Sequence, residues 1–336
     1  MPRFRTSLRL LGATALLSLI PLAGLWSWLR NGPLTTETTI LVRKGTTIDQ
    51  MADQLEAQGV IRSARLFRLW ARARRLRLLR GEYTFAPRAS LAHVAGKLGR
   101  HEIRYTNVVI TPSMHAWVIQ KRLEDFVPEQ VFWTFWKSPR LARAAGFPDA
   151  PSLEGLIAPA TYRFHHALEP EEIMLELVET FRSQVRPRLE GGALPPYQTL
   201  ILASLAEKET RLPEELPRVA GVYALRLRIG MRLQCDPTAQ YARWLSGDLR
   251  FTAPGSADLH RASPFNTYAV AGLPPTPIAV PGPEAIDAAK APRITKDLYF
   301  VATGTGGHNF APSLQEHNRN VALFRREIQR QRREGK

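Results

Sequence analysis

The chain predicts an α+β fold in more than one domain, and three observations carry that prediction. Short β-branched or aromatic runs bounded by turn residues alternate with segments of helical periodicity. Pro 26 and Gly 22 in 336 residues place more breaks between elements than a helical bundle uses. Hydrophobic residues make up 44% of the sequence, enough to bury a sizeable core in a chain longer than one ordinary domain.

The first element is an apolar, uncharged run from Leu10 to Leu29, closed by Trp26 and Trp28 and followed by Arg30. About 20 such residues cross the hydrocarbon core of a bilayer as a helix. Pro21 and the two glycines inside the run are tolerated in membrane helices. Arg3, Arg5 and Arg9 precede the run, and only Arg30 follows closely. This bias predicts a cytoplasmic tail at residues 1–9, a single transmembrane helix at 10–29 and a periplasmic body. The run's length, its terminal tryptophans and the lack of a small-x-small site beside them favour an uncleaved anchor over a signal peptide. The expected location is the cell inner membrane.

Net charge is +16, and residues 1–100 hold +12 of it, with 17 Lys/Arg against 5 Asp/Glu. Much of that excess lies on one predicted helix over 62–77, where Arg62, Arg65, Arg68, Arg72 and Arg75 recur at spacings of three and four. Leu66, Leu69, Trp70, Ala73 and Leu76 occupy its other face. The arginines form a solvated face or, on a sharper reading, one that meets anionic lipid headgroups or an acidic polymer. No nucleic-acid module accompanies them, so nucleic acid is not an expected partner. The single Cys235 excludes an intrachain disulfide framework.

After a linker at 30–39, Ile40-Leu41-Val42 reads as a strand, and Lys44-Gly45-Thr46 as a turn. Ile48 to Gln58 reads as a helix with Ile48, Met51, Ala52 and Leu55 inward. The arginine helix, a strand at Gly81–Phe85 and a helix at Leu91–Leu98 complete a small domain over 40–103. A larger mixed α+β domain follows over 104–330, before a basic tail at 331–336. It begins with a strand at Thr106–Ile110 and a helix from Met114 to Leu123 that Ser113 is placed to cap. The aromatic stretch Val131 to Trp136 suits helix core or sugar stacking, and another helix is expected from Pro170 to about Leu189.

Thr199 to Thr210 is the most informative segment. As an amphipathic helix it sets Leu202, Leu205 and Ala206 on one face, with Glu209 next on that stripe and Glu207 on the neighbouring one. A carboxyl held against apolar neighbours keeps its proton near neutral pH, as a general acid requires. The bland alternative is a solvated Glu-Lys-Glu at a helix end. Downstream, Leu216–Arg228 reads as a helix, and Gly304 to Gly307 as a hairpin turn between a strand at Leu298–Ala302 and His308-Asn309-Phe310. His165, His166, His308 and His317 lack close metal-ligand spacing, and no cofactor motif is present. Ser204 and Ser263 lack a nucleophile-elbow context.

Five segments in this order resemble the YceG-like family of endolytic murein transglycosylases (MltG type), over about Val42 to Phe324. They are Ala203 to Thr210, Leu233-Gln234-Cys235-Asp236-Pro237-Thr238, Asn266-Thr267-Tyr268, Gly272-Leu273-Pro274-Pro275 and Gly306-Gly307-His308. The resemblance implies a small LysM-like subdomain at 40–103 and a catalytic domain at 104–330 that cuts peptidoglycan glycan strands internally, with 1,6-anhydro-MurNAc ends. It maps the catalytic glutamate onto Glu209, with Glu207 second. Gln234, Asp236, Asn266 and Tyr268 become candidate substrate contacts, although Asp236-Pro237-Thr238 serves equally as a helix cap. A wall-synthesis role implies contact with glycan-polymerising synthases. The chain departs from the family pattern at Ser113-Met114, at Ala158 to Tyr162 and at Cys235. A non-catalytic glycan-binding scaffold and a hydrolytic muramidase stay open as alternatives.

Overall fold

The computed structural model of the chain describes residues 31–250 and 252–335, so the expected tail and transmembrane helix at 1–29 lie outside the described residues. No described helix is long and apolar enough to cross a membrane. The chain is mixed α+β, with helices and three two-stranded sheets among the described residues. The described residues divide into two compact units, one of 31–107 with 163–169, the other of 108–162 with 170–250 and 252–335.

In the first unit β1 (Thr38–Val42) runs antiparallel to β2 (Gly81–Phe85), with Ile40 opposite Tyr83 and Val42 opposite Gly81. Alternation along both strands turns Ile40, Val42, Tyr83 and Phe85 into the core. Helix α1 (Ile48–Ala57) starts from a reciprocal capping box: Thr47 Oγ1 accepts from Gln50 N–H, and Gln50 Oε1 accepts from Thr47 N–H. Its buried residues are Met51, Ala52 and Leu55. Helix α2 (Ala64–Ala73) is shorter than the expected 62–77, and its packed side only partly matches the expected apolar face: Trp70 and, beyond the helix, Leu76 pack against the core, but Leu66 and Leu69 do not. Ala64, Phe67 and Ala71 are buried, while Leu66 and Leu69 are exposed. Phe67 is fully buried in one cluster with Met51, Ala52 and Leu55 of α1 and Val94, Ala95 and Leu98 of α3 (Leu91–Gly99). Arg68 pairs with Asp49 and Asp53 on α1.

Strands β3 (Thr106–Ile110) and β4 (Ala160–Phe164) pair. The second unit continues with α4 (Ala116–Leu123), α5 (Glu129–Trp136), α6 (Pro139–Ala144), α7 (Pro170–Gln184) and a 3-10 turn at Arg186–Leu189. Helix α4 begins two residues later than expected, and Ser113 does not cap it. Ser113 takes a left-handed φ of 66° and gives its hydroxyl to Glu207 instead. On α5 Phe132 and Trp136 are buried, as helix core requires, and Trp133 is half-buried.

Helix α8 (Pro196–Glu209) is the centre of this unit. The amphipathic face expected of it is absent: every residue from Thr199 to Ala206 is buried. A helix that is apolar all round must be enclosed, and α9 (Leu216–Arg228), α10 (Asp236–Leu245) and α12 (Pro283–Lys290) enclose it. Ser204, the polar residue in that stretch after Thr199, donates to Ile201 C=O and accepts from Ile278 N–H. A short helix, α11 (Ser256–Leu259), lies between α10 and α12. The antiparallel hairpin of β5 (Tyr299–Ala302) and β6 (His308–Ala311) then precedes α13 (Leu314–Arg333).

The inward face of α2 yields a direct comparison. Phe67→Ala is expected to cost about 3–5 kcal/mol. Leu69→Ala is expected to stay within about 0.5 kcal/mol. Denaturant unfolding of the two variants measures both.

Candidate active site

Glu209 is the last residue of α8, where the helix leaves the core, and it lines a cleft of about 320 Å³. Its Oε1 accepts a 2.5 Å hydrogen bond from Tyr223 Oη, on α9. Burial pushes the Glu209 carboxyl above the ordinary carboxylate range, and the Tyr223 hydroxyl and Cys235 thiol oppose that rise without cancelling it. Burial also pushes Tyr223 well up, so its phenol stays a donor. Phe300 closes over Tyr223 edge-on, with ring centroids 5.8 Å apart. The cleft thus holds a carboxyl biased toward its protonated form and supported by one fixed neutral donor.

Beyond Glu209 the chain turns through Thr210 into α9, and this turn organises a second titratable pair. Thr210 Oγ1 donates to Glu215 Oε2 at 3.0 Å and accepts from Leu212 N–H. Glu215 receives His308 twice, from backbone N–H to Oε1 and from Nδ1 to Oε2, both at 2.7 Å. Burial pushes the Glu215 carboxyl up, but the His308 and Thr210 bonds outweigh it and hold it below the ordinary range. An ionised Glu215 is an acceptor only, so Nδ1 of His308 carries the proton and Nε2 is left for the cleft that the ring lines. Glycine at 307 makes this approach possible: its φ is 80°, and a Cβ there would sit 2.8 Å from Glu215 Oε1.

The opposite side of the cleft comes from the segment leading into α10. Gln234 adopts a left-handed φ of 50° while its N–H bonds Thr267 C=O, and its exposed side chain lines the cleft. Asp236 opens α10, but its Oδ1 accepts from Tyr268 Oη at 2.6 Å, which commits that oxygen to the cleft. Thr238, whose hydroxyl donates to Cys235 C=O, closes the helix start. Arg226 reaches across with Nε to Leu298 C=O, just before β5, and Nη1 to Leu233 C=O, each at 2.6 Å.

Four of the six residues singled out from sequence therefore meet in one cleft: Glu209, Gln234, Asp236 and Tyr268. Asn266 and Glu207 do not. Asn266 is fully buried, its amide nitrogen donating to the carbonyls of Asp258, Leu259 and Arg261, and its oxygen accepting from Tyr268 N–H. It shapes the loop that presents Tyr268. Glu207 accepts from Ser113 Oγ and Gly282 N–H and ties the end of α8 to those loops. The Ser113 departure thus leads to Glu207, and within Ala158–Tyr162 the Tyr162 hydroxyl donates to Ala158 C=O. Neither segment lines the cleft. Sequence reasoning missed Tyr223, Arg226, Glu215 and His308 as site residues. The Gly306-Gly307-His308 segment was the one available signal.

The raised Glu209 carboxyl has a consequence for stability. The folded protein holds this proton more tightly than the unfolded chain does. The resulting stabilisation is full below the unfolded carboxylate range and is lost as pH rises through the raised value. Glu209→Gln removes that loss. Urea unfolding from acidic to alkaline pH is expected to show a shallower decline for the variant, which equals or exceeds the wild type at the alkaline end.

The YceG-like family model matches residues 40–323. A Bacillus subtilis protein named endolytic murein transglycosylase is 34% identical over 205 residues, covering 60% of this chain and 52% of that protein. A Streptococcus pneumoniae protein of the same name is 29% identical over 218 residues, covering 62% and 39%. The chain thus spans about half, or less, of the length of these curated relatives. A crystal structure of a YceG-like protein from Listeria monocytogenes superposes with a TM-score of 0.58 at 26% identity, covering 84% of this chain and 98% of that one. The match over most of the sequence shows that this chain belongs to the YceG-like family.

Proposed function

We propose that the protein is an endolytic lytic transglycosylase. It cuts the β-1,4 bond between MurNAc and GlcNAc in nascent peptidoglycan strands, leaves 1,6-anhydro-MurNAc ends and so terminates strand elongation. One observation carries the reading: the Glu209 carboxyl is held toward its neutral form by burial and opens onto a cleft with donors on both sides. The name shared by the Bacillus and Streptococcus relatives supports the same reaction.

Glu209, protonated, donates to the glycosidic oxygen as the bond to C1 of MurNAc breaks. The sugar's own C6 hydroxyl attacks C1, and its proton passes to the Glu209 carboxylate, which restores the acid. Because the nucleophile is tethered to the reacting ring, most of the entropic cost of a bimolecular attack is avoided. Tyr223 steadies the carboxylate while it exists. His308, its Nδ1 fixed by Glu215, accepts a hydrogen bond from the C6 hydroxyl at Nε2 and orients it. Asp236, paired with Tyr268, carries negative charge toward the cation that develops at C1, and Gln234 contacts sugar amides or hydroxyls. Asn266 and Glu207 act only through the loops that they hold.

The proposal extends to location and organisation. Residues 10–29 anchor the chain in the inner membrane, with residues 1–9 in the cytoplasm. A LysM-like subdomain at 40–103 holds the strand for the domain at 104–330, and glycan-polymerising synthases supply the strand.

Incubation of the protein with uncross-linked glycan strands, read by mass spectrometry, tests the reaction. Internal fragments with anhydro ends are expected, and Glu209→Gln is expected to lose on the order of 10²–10⁴ in rate. Reducing ends would instead mean a muramidase. No cleavage by folded, glycan-binding protein would mean a scaffold. For His308→Gln a loss of about 10²-fold in kcat is expected with KM little changed. An equal rise in KM would reassign His308 to binding.

A further inference from the structure

Helix α2 has two apolar sides, and its fold uses one. Ala64, Phe67 and Ala71 pack inward, which turns Leu66 and Leu69 outward at 39% and 67% exposure. On the wheel this outward stripe, with Ala73, lies between the exposed Arg65 and Arg72 on one flank and Arg74 over Trp70 on the other. Beyond the helix Leu79 is 46% exposed. From Arg62 to Arg80 the sequence holds eight arginines and no acidic residue. Arg68 and Arg72 reach Asp49 and Asp53 on α1, and the outward face sets exposed leucines between exposed arginines, the pattern of an interfacial helix.

The start of α2 is also tied to the start of the described chain. Arg62 donates from Nε and Nη2 to the carbonyl of Asn31, each at 3.3 Å. Asn31 directly follows the apolar run and Arg30. A membrane that holds residues 10–29 thus ends within reach of Arg62, just before α2.

We propose that the outward face of α2 and the following segment to Arg80 lie on an anionic phospholipid surface. Leu66, Leu69 and Leu79 enter the headgroup–acyl boundary, and the arginines meet lipid phosphates. The site is a lipid-docking surface separate from the cleft, and it rests on the anchoring of residues 10–29 proposed above. Charge complementarity and the place where the chain leaves the anchor favour lipid as the occupant.

The test uses the full chain in nanodiscs of phosphatidylcholine, with or without phosphatidylglycerol as a minor component. A nitroxide is placed at Leu69→Cys; native Cys235 is fully buried and leaves that label unique. Its collisions with an aqueous nickel chelate and with oxygen are measured. In discs with phosphatidylglycerol, nickel access is expected to fall by about threefold or more as oxygen access rises. High salt, or Arg65→Glu with Arg77→Glu, is expected to reverse the change. Equal nickel access in both lipids would overturn the proposal. So would protection in pure phosphatidylcholine that appears only on adding glycan strands, which would make the partner an acidic polymer. A chain that fails to enter nanodiscs at all would overturn the anchor as well, and glycan cleavage by the same sample reports on the cleft independently.

Discussion

The loss of water around the Glu209 carboxyl is the interaction on which the second unit's arrangement depends. Eight consecutive buried residues carry α8 through the core, and the helix ends on a side chain that prefers water. A bare carboxylate there would be costly to keep. The protein meets the cost in part by keeping the proton and in part by the Tyr223 hydroxyl, which stabilises the ionised form when it arises. An acid that releases and regains one proton within a single turnover needs both features. Burial without the tyrosine would leave the group permanently neutral, and the tyrosine without burial would leave it an ordinary carboxylate.

The surrounding elements follow from holding that end still. Helices α9, α10 and α12 enclose α8, and α9 and α10 line the cleft through Tyr223, Arg226 and Asp236. Glu207, one residue before Lys208, faces away to Ser113 and Gly282, so two carboxylates two positions apart have different work. Thr210 and Glu215 carry the next turn into contact with His308, and Gly307 admits that contact by lacking a Cβ. Glu209 and Glu215, six residues apart, are pushed in opposite directions, one by burial and the other by its histidine partner. Such a split between neighbouring carboxyls separates a proton donor from a fixed anion.

Local features were legible in the sequence and long-range ones were not. The strands at 40–42, 81–85 and 106–110, the helix Leu216–Arg228 and the glycine hairpin before His308 follow from periodicity and turn residues, which act over a few positions. Glu209 was legible because it ends an apolar run. Its setting differs from the expected one, since α8 is buried all round from Thr199 to Ala206 and has no single apolar face. Tyr223, Glu215 and His308 lie 14, 6 and 99 positions from Glu209, and no spacing rule links them. Asn266 looked like a surface contact because a polar residue in a loop has no one-dimensional sign of burial; its four hydrogen bonds exist only in the folded loop. The inward side of α2 went unread for a similar reason: Leu66 and Leu69 form as good an apolar stripe as Phe67 and Ala71, and only α1 and α3 decide between them.

The central claim concerns one proton, and carbon-detected NMR titration of labelled glutamates measures it directly. The Glu209 resonance is assigned as the one lost in Glu209→Gln, and Glu215 is assigned likewise. The account predicts that Glu209 titrates above the exposed glutamates and Glu215 below them. Glu209 titrating together with the exposed glutamates would contradict it, because an ordinary carboxylate at neutral pH has no proton to give.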